Sequence, residues 1–292
     1  MFFGDEVLSY QHHRDQIRLN LIGTPDNDAY FLFQAAEMHA LLVADAVSDL
    51  RIRSVIAGEG RQGELRSHLV YGVSRRTGDI WSALRELVLV TPPNRTTPLS
   101  LEETALTSRG LNGIYINIRG TLDNLAWAAI EAAGGLAAVG LNHTSVDLFG
   151  RRFGAVEAFA ELVARLTPFK PWSEELKARR NPAAHRIPLA MISAEMDDAQ
   201  AAEFHRLTGE MLAPLPPGPV TPEQMDIRMA RHEAIKGEIA RLGVFRPMFA
   251  HMPSEGAMPL YPTVPEDIGQ MVRVAGILLS YLDEAVTPPS RA

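Results

Sequence analysis

Apolar residues recur at spacings of three and four along most of the chain, the period of a helix with one buried face. Residues 28–56 place Leu32, Ala35, Ala36, His39, Leu42, Val43, Ala46 and Leu50 near one face, with Asp26, Asn27 and Asp28 available as N-caps. Gly58-Glu59-Gly60 closes that pattern. Residues 62–73 and 79–90 read as two helices divided at Gly78, the second ended by Pro92-Pro93. Ser100 and Glu103 form a capping box, which opens a central helix along Leu111, Ile114, Ile118, Leu122, Leu125 and Ala129 to Gly134-Gly135. A shorter helix is predicted from Ala155 to Leu166, and Ser173 caps a brief turn leading to Arg179-Arg180-Asn181-Pro182.

Residues 197–212 form a further helix. The run Ala213-Pro214-Leu215-Pro216-Pro217-Gly218-Pro219 then interrupts it, since proline lacks the amide donor and clashes with the preceding turn. Thr221-Pro222-Glu223-Gln224 opens the next helix with a cap, a proline at its first position and a capping-box Gln. Met225, Met229, Ile235, Ile239 and Leu242 supply its apolar face up to Gly243. Residues 244–262 hold four prolines among aromatic and aliphatic residues and read as extended; Thr263 with Glu266 starts the last helix, to about Ala285. The expected fold class is all-α: a multi-helix bundle of about eight to ten helices with one short extended segment. Its parts are an N-terminal helical region (1–99), a helical core (100–212) and C-terminal helices (213–292) packed on that core after the Pro-rich linker.

Composition narrows the chemistry. The 292 residues are 46% hydrophobic and contain no cysteine, which excludes disulfide scaffolds, thiolate-held metals and thiol nucleophiles. With 28 basic and 35 acidic residues the formal charge is −7, which argues against a general nucleic-acid binder with a basic face and leaves only a local basic patch. The most apolar window, Leu122–Leu141, contains Asp123, Asn124, Glu131 and Gly134-Gly135, so it reads as a buried helix and not a bilayer span. The first residues, Met1-Phe2-Phe3-Gly4-Asp5-Glu6, do not read as a secretory signal, and a cytoplasmic location is expected.

Arg119 and Asp123 share a helix face and are placed to form an ion pair, and Asn117, Thr121 and Asn124 form a polar stripe beside them. Such a stripe either faces a site or locks helix register. His12-His13 lacks a second cluster at ligand spacing, and His232-Glu233 lacks the second His of a zincin because Lys236 stands there. No Walker or Rossmann glycine pattern and no Gly-x-Ser-x-Gly occurs, so no metal and no cofactor is expected. The methionines Met225, Met229, Met248, Met252 and Met258 are expected to fill core space.

One short motif carries chemistry: Arg180-Asn181-Pro182-Ala183-Ala184-His185. Asn181 as N-cap and Pro182 at the first position predict a helix starting there, with Arg180 and His185 converging at an anion-attracting helix end. A cation, a titratable imidazole and such a helix end suit phosphodiester chemistry. The hexapeptide resembles the signature of the HEPN superfamily, an Arg followed after four to six residues by His, with a polar residue after the Arg. The helix Arg119-Gly120-Thr121-Leu122-Asp123-Asn124-Leu125-Ala126-Trp127 and the stretch Ala184-His185-Arg186-Ile187-Pro188-Leu189 are similar to segments of bacterial HEPN-like proteins. The resemblance spans roughly residues 104–192. It implies a helical homodimer that pairs two motifs and, in many members, cleavage of RNA without a metal. Carried over, Arg180 and His185 are the catalytic pair: Arg180 polarises the scissile phosphate and His185 moves the proton. Asn181 orients the Arg or caps the helix, and Arg119, Asp123 and Asn124 support the site. The alternative is a non-enzymatic scaffold or regulatory module in which Arg180 pairs with Glu174, Glu175 or Asp123 and His185 simply packs.

Overall fold

Residues 6, 8–20, 28–185, 187–215, 218–252 and 256–286 are described by a computed structural model. Among them the architecture is all-α with one small sheet. Helices α1 (Tyr10–Asn20) and α2 (Asp28–Gly58) are followed by α3 (Gly63–Arg66), a π-helical turn (Ser67–Val73) and α4 (Ser74–Val90). Next come α5 (Leu101–Ala132), the short α6 (Leu136–Val139), several 3-10 turns including His143–Ser145, then α7 (Ala160–Leu166) and α8 (Lys170–His185). Strand β1 (Ala190–Met191), helices α9 (Asp198–Met211) and α10 (Pro222–Ile239), strands β2 (Met248–Ala250) and β3 (Met258–Pro259), and α11 (Thr263–Val286) complete the order.

Helix α5 is the axis. The Ser100–Glu103 capping box opens it as the sequence predicts, satisfying amides at both residues. Leu111, Ile114, Tyr115, Ile118, Leu122 and Leu125 are fully buried along it, and each such aliphatic side chain contributes about 1.5–3 kcal/mol by leaving water. Against α5 pack the π-helical turn, α4, α8 and α11, while α2 lies between α4 and α11. The sheet is antiparallel in the order β1-β2-β3, with Met191 opposite Phe249 and Phe249 opposite Met258. Asn112 of α5 pins the chain entering it: its Oδ1 accepts from the Leu189 amide at 2.9 Å and its Nδ2 donates to the Leu189 carbonyl at 2.7 Å. No helix among the described residues is long and apolar enough to cross a membrane.

Several expected boundaries move. Gly78 does not divide two helices: the backbone is helical from Gly63 to Val90, because Thr77, Ile80 and Leu84 continue one buried face past the glycine. Ser173 is not a cap but a buried position inside α8, and the segment before α7 is a pair of 3-10 turns. The Arg180–His185 hexapeptide does not start a helix; it forms the last turn of α8. Trp172, Leu176 and Arg179 hold α8 on the core, so the helix runs into Pro182 and survives only one further turn. In α10 only Ile235 is buried, whereas Met225 and Met229 are exposed and so do not fill the core.

Candidate functional site

The polar stripe of α5 lies in a seam bounded by the π-helical turn, the start of α4, the loop around Asp147 and the end of α8. Its chemistry begins with the i,i+4 spacing of Arg119 and Asp123, which puts the Arg119 Nε 3.1 Å from Asp123 Oδ1. The same guanidinium reaches Asp147 Oδ1 through Nη2 at 3.0 Å, and Lys177 of α8 approaches Asp147 Oδ2 at 3.5 Å. Arg180, one turn after Lys177 on α8, acts electrostatically on Asp123, as does Arg76 of α4. Glu174 and Glu175, two alternative partners of Arg180, are engaged by Lys177 and Arg179. Arg180 Nη1 donates to Asn181 Oδ1 at 3.3 Å, so Asn181 contacts the arginine but does not cap a helix.

Arg76, Arg119, Lys177 and Arg180 are thus set against Asp123 and Asp147, with Glu174 bonding Lys177 from the surface. Positive charge is in local excess on a chain of net charge −7. The segment Arg66–Arg76 adds to it, carrying Arg66, His68, Tyr71, Arg75 and Arg76 with no acidic residue. The two carboxyls differ. Burial raises Asp123 above the ordinary Asp value, helped by Asp147 and opposed by Arg119, Arg180 and Arg76. Its Oδ1 has no aligned hydrogen-bond donor among the described residues despite the close Arg119 Nε, which fits a carboxyl that is weakly held in its charged form. Burial also pushes Asp147 up, but Arg119, the Phe149 amide and Lys177 outweigh it and hold the carboxyl below its usual range.

Close backbone approach shapes the seam. A Cβ on Gly72 would collide with the Asn124 amide, and one on Gly120 with the Arg76 guanidinium. Arg76 therefore lies across Gly120, where its Nη1 donates to Asn117 Oδ1 at 3.2 Å. Asn124 Nδ2 donates back to the Gly120 carbonyl at 2.7 Å, leaving Oδ1 to accept from His68 Nδ1 at 3.1 Å. The π-helical turn that delivers His68 and Gly72 belongs to a rare class of element found frequently at functional sites.

Of the residues singled out by sequence, Arg180, Asn181, Arg119, Asp123 and Asn124 come together at this seam. His185 closes α8, and its side chain lies outside the described residues. The anion-attracting helix N-terminus is not there: the motif sits at a helix C-terminus, where the dipole favours cations such as Arg179 and Arg180 themselves. Sequence reasoning missed Asp147, Lys177, Arg76 and His68. Only the run of basic and aromatic residues from Arg66 to Arg76 could have signalled two of them. His12 and His13 lie on α1, where the His13 ring stands 5.8 Å from that of His39, and no group of three His, Asp or Glu suited to a metal occurs among the described residues. No family model, no curated protein and no solved structure matches this chain.

Proposed function

We propose that the chain is a metal-independent endoribonuclease of the toxin or phage-defence type, acting at the seam between α5 and the end of α8. One observation carries the reading: Arg180, far along the chain from α5, stands with Arg119, Asp123 and Arg76 in a single seam that solvent still reaches, with the Asp123 side chain 39% exposed. Guanidinium groups present paired donors that match phosphate oxygens, and several of them together favour the extra negative charge of a phosphorane-like transition state. The 2′-oxygen attacks phosphorus and its proton passes to a base. The bond from phosphorus to the 5′-oxygen breaks, and an acid returns a proton to that oxygen. His185 is assigned one of these transfers. Asp123, whose proton affinity is raised by burial, is the second proton-carrying group at hand. The HEPN resemblance of the Arg180–His185 and Arg119–Trp127 segments supplies the reaction class, a cytoplasmic RNA target and a homodimer.

The test is cleavage of single-stranded RNA in the presence of a chelator. Wild type should cut; His185→Ala should lose about 10²–10⁴-fold in rate, the usual contribution of a positioned acid or base, and Arg180→Ala about 10²–10³-fold, the usual contribution of one donor to the transition-state charge. Cutting by His185→Ala at the parental rate would remove His185 from the mechanism. A second reading, the non-enzymatic scaffold, is favoured by one feature: Arg119, only 13% exposed, is bracketed by Asp123 and Asp147 as a structural clamp would be. Under that reading no RNA is cut, and Arg180→Ala lowers only the melting temperature.

A further inference from the structure

Beside the cations of the seam, three rings from separate parts of the chain stand in a row. His68 comes from the π-helical turn, Trp127 from α5 and His143 from the 3-10 turn after α6. The His68 and Trp127 rings are parallel to within 9° with centroids 5.7 Å apart, and His143 meets Trp127 at 5.2 Å and 47°. Trp127 is one helical turn, about 6 Å, beyond Asp123 on the same strip of α5. The inner ring is fixed: His68 is tied to Asn124, which is tied to the Gly120 carbonyl and wedged against Gly72. Trp127 is half-buried and His143 exposed, so the row opens to solvent at its outer end.

From this geometry we infer that His68, Trp127 and His143 form a stacking subsite for a base of single-stranded RNA, set next to the phosphate-holding arginines. The inference rests on the seam being a phosphodiester site, and it adds the substrate class: an unpaired strand, because a base inside a duplex cannot leave its neighbours to stack on a protein ring. Stacking on aromatic faces is tolerant of sequence, since every base presents a π-face. The chain is acidic overall, so a few cations beside a stacking platform suit a short single-stranded footprint better than a long duplex track. If the rings served only to close the loop after α5, they would contribute to stability and be indifferent to bases.

The experiment uses the full chain and a single-stranded hexamer of 2′-O-methyl RNA, whose blocked 2′-oxygen prevents cleavage during the measurement. An abasic hexamer with the same phosphates is the control. Binding is read by anisotropy of a labelled oligomer and by quenching of tryptophan fluorescence. The base-bearing hexamer should bind at least about tenfold more tightly than the abasic one and quench the fluorescence. Trp127→Phe should abolish most of the quench although Trp81 and Trp172 remain, and the exposed His143→Ala should weaken binding several-fold with an unchanged thermal melt. Equal binding of the two hexamers, or parental affinity in both variants, overturns the stacking subsite while leaving the phosphate site standing. If neither hexamer binds, the subsite and the phosphodiester reading fall together.

Discussion

At the scale of single residues, the spacing of Arg119 and Asp123 made their ion pair legible, because four residues along a helix bring side chains to one face whatever the tertiary fold. Asp147 carried no such signal. It sits in an irregular loop, and only the packing of that loop against α5 and α8 brings it to Arg119 and Lys177. His39 illustrates the same limit: the helical period places it near one face of α2 with Ala36 and Val43, and its chemistry depends on a partner far away in sequence. It is fully buried, and its Nε2 donates to the Leu8 carbonyl at 3.0 Å. Its Nδ1 has no hydrogen-bond partner among the described residues, an arrangement that suits a neutral ring. Burial lowers its pKa from 6.5 to about 4, with His13 and Arg273 adding to the shift and the Leu8 contact opposing it. The unfolded chain therefore binds the extra proton first. The stability that the neutral ring contributes is complete above the unfolded pKa and is lost as the pH falls from about 6.5 towards 4. A shift of that size corresponds to about 3 kcal/mol across the window. Urea unfolding at pH 7 and pH 4 should show His39→Gln losing less stability on acidification than wild type by roughly that amount. Parallel losses in the two proteins would mean that His39 does not titrate in this way.

At the scale of elements, local capping chemistry was readable wherever nothing distant competed with it. The boxes at Ser100 and Thr221 form as the residue types dictate, and a third at Asp197 with Gln200 follows the same rule. Asn181-Pro182 shows the rule overridden. The pair has the chemistry of a helix start, yet α8 runs through it because its earlier turns are held by tertiary contacts. The anchor is Asp267 of α11, which is 3% exposed. Its Oδ2 accepts from the Tyr115 hydroxyl at 2.8 Å and its Oδ1 from Trp172 Nε1 at 3.0 Å, and Arg179 Nε lies 3.5 Å from Oδ2. Burial raises the pKa of this carboxyl against the pull of Arg179, Tyr115 and Trp172. One side chain thus joins α5, α8 and α11, and it fixes the rotation of α8 that turns Arg180, the next residue after Arg179, towards Asp123. Asp267→Ala leaves a hydroxyl and an indole N–H without their acceptor and removes the buried carboxylate beside Arg179. It should cost about 3–5 kcal/mol in chemical denaturation, the range for breaking a buried charged pair. Asp267→Asn keeps the shape and an acceptor oxygen and should cost less than half of that. Equal losses for the two variants would show that the negative charge, which both lack, and not the retained shape and acceptor oxygen, holds the three helices.

At the scale of the whole molecule, stability is distributed unevenly, and helical period alone gave no sign of it. The main hydrophobic cluster runs from Leu8 to Leu282 and draws on α2, α4, α5, α8 and α11. The α9–α10 hairpin stands apart from it: among the described residues Leu207 and Ile235 are its only fully buried apolar ones, and both lie outside that cluster. At its base the two ends of the hairpin pair with each other, Glu195 with Val244 and the Ile192 amide to the Met248 carbonyl at 3.0 Å. Backbone bonds reach the body from the Leu99 amide to the Ser193 carbonyl at 3.0 Å and from the Phe245 amide to the Thr96 carbonyl at 2.8 Å. Within the hairpin, Arg231 bridges Glu210 at 2.6 Å and Glu238 at 2.8 Å, but such pairs at the surface contribute little in water. Ile227, 71% exposed, and Leu212, 73% exposed, face solvent, so the apolar surface that a helical pair normally hides is here left open. A unit with so little burial opens without waiting for the rest of the molecule. Native-state hydrogen exchange should therefore find the amides of α9 and α10 exchanging at least about a hundredfold faster than the interior amides of α5, which are released only by global unfolding. Mild denaturant should accelerate α5 steeply and the hairpin scarcely at all, because local opening exposes little new surface. Protection in the hairpin equal to that of α5, with the same denaturant dependence, would instead make the two parts one cooperative unit.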